Sequence, residues 1–305
     1  LYGLFIGDII YMGKTLTVND FTFEWGKRTY VMGILNVTPD SFSGDGLIQE
    51  QDVVDAALEQ AKEFINAGVD ILDVGGESTR PGAKAISAEE EAERVLPVVE
   101  KLSAEFDTLI SIDTYKALVA EAALKAGAHL VNDVWGLRAD PKLAEVVAEY
   151  KVPVILMHNR SNPASAEVRE QLGGRYVGVE YDHLLEDVKN ELLMSVDIAH
   201  QMGIPDEHII LDPGIGFGKT VQQNLELQNR LDEIGELGYP ILWGPSRKSF
   251  IGYTLDLPPT ERVEGTAATV AVGIVRGGHI VRVHDVRAMV QIGRASCRER
   301  VCVGV

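Results

Sequence analysis

The sequence predicts an α/β fold: a (β/α)8 TIM barrel preceded by a short N-terminal β-hairpin. Three observations predict it. Eight short apolar runs recur along the chain, each closes on or leads to a polar residue, and amphipathic stretches of helical period lie between most of them. In such a barrel the catalytic groups sit at the C-terminal ends of the strands, so the polar residues that close the runs are candidate site residues before any motif is considered.

The elements follow in order. Residues 1–15 read as an N-terminal extension; Leu1–Tyr11 is apolar but has no basic flank and falls far short of the roughly 20 residues a membrane span needs, and Met12 is the expected natural start. Leu16–Tyr30 alternates through Phe21, Phe23 and Trp25, as a hairpin does. The barrel runs are Val31–Leu35 closing at Asn36, Val69–Leu72 at Asp73, Leu109–Ile112 at Asp113 and His129–Val131 at Asn132. They continue with Val152–Met157 closing at His158, Ile209–Leu211 at Asp212, Ile241–Trp243 leading to Lys248, and Ile280–Val283 at His284.

Helix is expected over Glu50–Ala67, with Ala57, Ala61, Phe64 and Ile65 on one face and Gly68 as its stop. Ser87-Ala88-Glu89-Glu90 has the pattern of a capping box. A short helix is expected over Tyr115–Ala126, and a long polar loop, Asn159–Gly178, precedes a helix reaching about Gln201. Connections lengthen after the first, second and fifth strands, where lids and binding loops are common. Residues 16–290 thus read as one barrel domain; past Val290 the helical period fades, and residues 291–305 read as a non-native or disordered tail.

Composition narrows the class. With 46% hydrophobic and 24% charged residues the chain is an ordinary globular protein. A net charge of −18 argues against nucleic acid and anionic membrane as partners, although a local Arg and Lys cluster can still hold a small anion because distant charges are screened over about 10 Å. Cys297 and Cys302 are the only cysteines, so the body has no disulfide framework, which fits a cytoplasmic location.

Asp73, Asp113, Asn132 and Asp212 come from four strands and should meet at one mouth. Together they can bind the edge of a flat, donor-rich heterocycle, since an unpaired buried donor costs about 1–3 kcal/mol; singly, each could as well cap a helix or pair with an arginine. No His-x-His or His-Glu-x-x-His pattern marks a zinc site, whereas Mg2+ held largely by substrate phosphate remains open. Ser246-Arg247-Lys248-Ser249 follows strand seven and Arg282 and His284 share a face of strand eight, the region where barrels often bind phosphate. Asp212-Pro213-Gly214-Ile215-Gly216-Phe217-Gly218-Lys219 lacks phosphate-loop spacing; its glycines suit close approach of a flat ligand, with Phe217 as a stacking face.

Read in order, these motifs resemble the bacterial dihydropteroate synthases of folate biosynthesis. The likeness rests on Gly33–Phe42, Asp73–Gly82, Ser111–Thr114, Val131–Asp133, Met157-His158, Asp212–Lys219, Ser246–Ser249 and Arg282–Asp285, and spans about residues 20–290. It implies condensation of 6-hydroxymethyl-7,8-dihydropterin pyrophosphate with p-aminobenzoate through a dissociated pterin cation. It also implies Mg2+, a homodimer built on late helices, and sensitivity or resistance to sulfonamides, which mimic p-aminobenzoate.

By the same resemblance Asp113, Asn132, Val134, Met157, Asp212, Gly244, Lys248 and Arg282 form the pterin site, with Asp113, Asp212 and Lys248 catalytic. Asn36, Arg282 and His284 would anchor pyrophosphate, with Asn36 near the metal, and Phe42, Thr79, Arg80, Pro81, Phe217, Lys248 and Ser249 would form the p-aminobenzoate pocket. Asp73 and His158 are assigned to loop orientation as readily as to substrate. A pterin-binding methyltransferase and a catalytically silent pterin-binding paralogue are the alternatives. The first has no use for the Ser-Arg-Lys-Ser loop, and the second should have lost Asp113 or Lys248.

Overall fold

The computed structural model describes residues 15–38, 50–79, 83–162, 165–169, 171–177 and 179–302. Eight parallel strands form the barrel: β3 (Tyr30–Asn36), β4 (Ile71–Gly75), β5 (Leu109–Asp113), β6 (Leu130–Asp133), β7 (Val154–Met157), β10 (Ile209–Asp212), β11 (Leu242–Trp243) and β12 (Ile280–Val283). Each pairs with its neighbour in sequence, β12 pairs with β3, and a bridge from Leu211 to Ile241 joins β10 to the start of β11. Consecutive pairing all the way round is what short, right-handed β-α-β crossovers impose.

Two apolar cores follow from the period-2 alternation of the strands. Outward residues such as Leu35, Leu72, Val74, Ile112 and Val131 pack under the helices. The inward residues at the strand starts, Tyr30, Ile71, Leu109, Leu130, Leu242 and Ile280, form a second cluster with Leu16, Val18, Phe23 and Trp25. Those last four come from the hairpin β1 (Thr15–Val18) and β2 (Phe21–Glu24), which therefore plugs the N-terminal end of the barrel. Phe23 stacks on Trp25 with centroids 5.1 Å apart and meets Tyr30 edge-on at 4.8 Å. With the lower end filled by hydrocarbon, polar side chains inside the barrel are confined to the upper end.

The outer helices are α1 (Glu50–Ala67), α2 (Ala88–Glu105), α3 (Ala117–Lys125), α4 (Pro141–Tyr150), α5 (Leu184–Gln201), α6 (Val221–Asn229), α7 (Leu231–Gly235), α8 (Ser249–Leu255), α9 (Val263–Val275) and α10 (Val286–Cys302). α1 has the expected bounds, and Gly68 follows it with φ +93°, the left-handed stop a glycine permits. Ser87 caps α2 by accepting from the Glu90 amide at 3.1 Å.

Three expectations change. β4 runs on to Gly75, so Asp73 lies within the strand rather than at its end. The polar segment after β7 contains an antiparallel hairpin, β8 (Ala166–Arg169) and β9 (Gly173–Tyr176), which rests on α8 through a Tyr253 hydroxyl donating to the Gly173 carbonyl at 3.1 Å. Finally, α10 continues to Cys302, so the loss of period past Val290 does not end the helix. The expected extension, apart from Thr15, and residues 303–305 lie outside the described residues.

Candidate active site

The register of the strands sets the mouth. Asn36 is opposite Gly75, Gly75 opposite Asp113, and Asp113 opposite Asn132, so four consecutive strands deliver one ring of positions at the upper end. Asp73 lies one inward position below Gly75 and is fully buried. Its Oδ2 accepts from Arg282 Nε at 2.6 Å and from Asn132 Nδ2 at 3.1 Å. The other arm of Arg282, Nη2, donates to Asp113 Oδ2 at 2.5 Å. One guanidinium thus ties β12 to β4 and β5 across the barrel interior. Burial opposes the charge on Arg282, but the carboxylates of Asp73 and Asp113 outweigh it and hold the group protonated.

Burial, reinforced by the nearby charge of Asp73, pushes Asp113 above the usual carboxylate range against the pull of Arg282 and Lys248. Asp212 is raised as well, chiefly by burial, although its Oδ1 accepts from the Gly214 amide at 2.7 Å and Lys248 and Arg282 pull the other way. A Cβ added at Gly244 would lie 3.7 Å from Arg282 Cβ and 4.0 Å from Asp212 Oδ2, so Gly244 borders both and leaves their surfaces open. Met157 and Val134 are buried apolar residues at the tops of β7 and β6.

The turn after β10 carries Phe217. Gly214, Gly216 and Gly218 all have positive φ (68°, 80° and 57°), which only glycine adopts without strain. The stem of Lys248 packs on Gly216, where an added Cβ would meet Lys248 Cδ at 2.7 Å, and Lys248 Nζ lies 3.7 Å over the Phe217 ring. Lys248, Phe217 and Asp212 are therefore one constellation. Ser249 opens α8 beside it.

Two residues before Lys248, Ser246 Oγ accepts from the His284 amide at 3.1 Å and lies 3.0 Å from its Nδ1, which orients the ring. Sequence groups Arg247 with the phosphate-binding cations, but its fork is taken up by Asp285 (2.6 and 3.0 Å). Arg282, His284, Asn36 and Lys248 keep places at the mouth. Asn36 ends β3, next to β12, so its amide is beside the strand that delivers Arg282 and His284.

Thr79 is exposed in the long connection after β4. Below it, Glu77 joins Lys116 at 2.9 Å, and Lys116 also holds buried Glu91 at 2.6 Å, so the base of that connection is pinned to α2 and α3. Phe42, Arg80 and Pro81 lie outside the described residues.

Local sequence patterns understate two residues and overstate one. Asp73 is the hub of the Arg282 and Asn132 contacts; two-residue spacing from Gly75 marks it as inward-facing. Ser246 carried no signal as the partner of His284. His158 does not face the mouth: its Nδ1 meets Lys219 Nζ at 2.9 Å and its Nε2 lies 3.3 Å from Glu191, below the turn.

Fold and site together define an α/β barrel whose mouth gathers carboxylates, an amide and cationic side chains from separate strands. A sequence model of the family described as pterin binding enzyme matches residues 32–284. The dihydropteroate synthase of Clostridium beijerinckii is 52% identical over 87% of this chain and 91% of its own. The crystal structure of the Clostridium difficile dihydropteroate synthase in the presence of pteroic acid superimposes with a TM-score of 0.82 at 47% identity, covering 91% of this chain and 98% of that one. That of Xanthomonas albilineans with 4-aminobenzoic acid gives 0.83 at 38% identity, covering 96% and 99%. The chain belongs to the pterin-binding enzyme family, among its dihydropteroate synthases.

Proposed function

We infer that the chain joins 6-hydroxymethyl-7,8-dihydropterin pyrophosphate to p-aminobenzoate, yielding 7,8-dihydropteroate and pyrophosphate in folate biosynthesis. The observation that carries this reading is the convergence of Asp113, Asn132 and Asp212 with Arg282 and Lys248 at one barrel mouth, in a chain about half identical to dihydropteroate synthases. The pteroic acid and 4-aminobenzoic acid named with the two crystal structures support the same substrates here.

Asp113, Asn132 and Asp212 receive the hydrogen-bonding edge of the pterin, with Lys248 beside it, Val134 and Met157 against its faces and Gly244 leaving room for it. The C–O bond to pyrophosphate breaks first and its electron pair leaves with the phosphate. Asp113 and Asp212, in a water-poor pocket, stabilise the pterin cation that remains. The amine nitrogen of p-aminobenzoate then gives its lone pair to the exocyclic carbon and releases a proton. Arg282, His284 and Asn36 hold the departing pyrophosphate. Phe217, Lys248 and Ser249, with Thr79, Phe42, Arg80 and Pro81 from the two long connections, form the p-aminobenzoate pocket and keep water from the cation.

The donor set at the mouth suits Mg2+ bound through few protein atoms: Asn36 offers a hard amide oxygen next to the phosphate-binding strand. When bound there with substrate phosphate oxygens, the ion would neutralise charge on the leaving group. The reading includes a homodimer, supported by exposed Leu255, Val272 and Val275 on α8 and α9, and the cytoplasm as compartment, on the cysteine-poor body.

The test uses purified protein with both substrates and Mg2+. Pyrophosphate should appear in step with dihydropteroate, stop on chelation and resume when Mg2+ is restored, and the preparation should sediment as a dimer. Folded protein without turnover would overturn the activity; turnover unaffected by chelation, or a monomer, would overturn the metal or the dimer alone.

A further inference from the structure

A buried lysine underlies the turn that carries Phe217, and the reaction described above gives it no part. Lys219 is 2% exposed, and its side chain folds back onto carbonyls of its own turn. Burial lowers its pKa to about 7; in the ammonium form its three hydrogens meet three acceptors: the Gly214 carbonyl at 3.0 Å, the Phe217 carbonyl at 3.1 Å and His158 Nδ1 at 2.9 Å. With Nδ1 accepting, the neutral His158 ring carries its proton on Nε2, facing Glu191, which Arg160 holds at 2.6 Å and Arg138 at 3.3 Å. An ammonium taken out of water is costly unless every hydrogen is used. Here all of them are, and two fix carbonyls of the same turn.

The rest of the turn is held from other sides. The Gly216 amide donates to Asn224 Oδ1 at 2.6 Å, and the Tyr181 hydroxyl donates to the Gly218 carbonyl at 2.9 Å. Three left-handed glycines in five residues leave this backbone many conformations when unbound by such contacts. The Phe217 ring lies under Lys248 Nζ only if the turn keeps this one.

We propose that Lys219 is a positioning residue for the p-aminobenzoate subsite: by tying the Gly214 and Phe217 carbonyls it holds the Phe217 ring against Lys248. The proposal rests on the functional reading above for the identity of the ligand. Lys219 touches no substrate, and its effect passes through Phe217. The pterin edge meets the turn only through Asp212, which accepts from the Gly214 amide, and is held as well by Asp113 and Asn132 on other strands, so it depends on Lys219 less.

Lys219→Met keeps the stem and removes the three donors. Its KM for p-aminobenzoate should rise at least about tenfold, while calorimetric affinity for the pterin pyrophosphate changes by less than about threefold. Lys219→Gln, which retains two donors, should recover part of the loss. A p-aminobenzoate KM within about twofold of the parent, or equal losses for both substrates, overturns the proposal. If Lys219→Met does not fold, Tyr181→Phe decides: it frees the Gly218 carbonyl, and its p-aminobenzoate KM should rise by about two- to fivefold with pterin affinity unchanged, an unchanged KM being the contrary result. If the parent protein makes no dihydropteroate, the functional reading fails. Hydrogen exchange over residues 213–219 then tests the tether itself. It should be at least about tenfold faster in whichever of the two variants folds, and equal exchange refutes the role.

Discussion

Lys248 concentrates the chemistry at the residue scale. Its ammonium lies over Phe217, and its charge acts on both Asp113 and Asp212, so in the proposed reaction it would serve the pterin and p-aminobenzoate sides at once. Lys248→Ala should lose at least about tenfold in kcat/KM, because a charge-assisted contact contributes roughly 1.5–3 kcal/mol; steady-state kinetics with unchanged constants would remove that role. Asp113, Asn132 and Asp212 were legible as residues of the barrel mouth because each closes an apolar run at an inward position. Asp73 reads as a loop-orienting group as readily as a substrate contact, since nothing local says that Arg282, 209 residues away, would end on its carboxylate.

Among the elements, the hairpin β1–β2 shows how far the two ends of the barrel are separated. Phe23 is 1% exposed and packs among the strand starts, whereas the described candidate site residues lie in the C-terminal halves of the strands or beyond them. Phe23→Ala should lower stability by about 3–5 kcal/mol in urea denaturation, the usual result of emptying an aromatic site in a core. Its kinetic constants should match the parent's wherever it is folded; a large change in kcat would show the two ends to be coupled. Strands, helices and the Ser87 cap were readable from period and capping chemistry. The β8–β9 hairpin was not: Ala166–Arg169 and Gly173–Tyr176 are four residues each with little apolar alternation. Contacts from distant residues help to hold it, including Arg262 Nη2 on the Leu172 carbonyl at 3.0 Å.

For the molecule as a whole, His158 makes folding depend on pH. Burial, with the Lys219 charge beside it, lowers its pKa to about 3 from an ordinary 6.5. Above pH 6.5 the ring is neutral in both folded and unfolded chains. As the pH falls from there toward 3, the unfolded chain takes up a proton that the folded protein refuses, and stability drops by up to ~1.4 kcal/mol per pH unit. Asp113 and Asp133, raised by burial, act with the opposite sign, since the folded state keeps their protons to a higher pH. Comparison with His158→Gln cancels those acids. Urea midpoints between pH 7 and 4.5 should fall more steeply in the parent, and equal slopes would show that His158 titrates normally in the folded state.

The sequence by itself determined the barrel, the order of its strands, the hairpin before it and most of the polar ring, because period-2 and period-3.6 patterns and strand-end residues are local properties of the chain. Only the tertiary structure decided which charges meet. It set Arg282 between Asp73 and Asp113, turned Arg247 away to Asp285, oriented His284 on Ser246 and sank Lys219 beneath the turn above His158. Those pairings depend on register and closure around eight strands. A charged side chain reaches several Å in any direction, and its partner is settled by burial and geometry that no local pattern encodes.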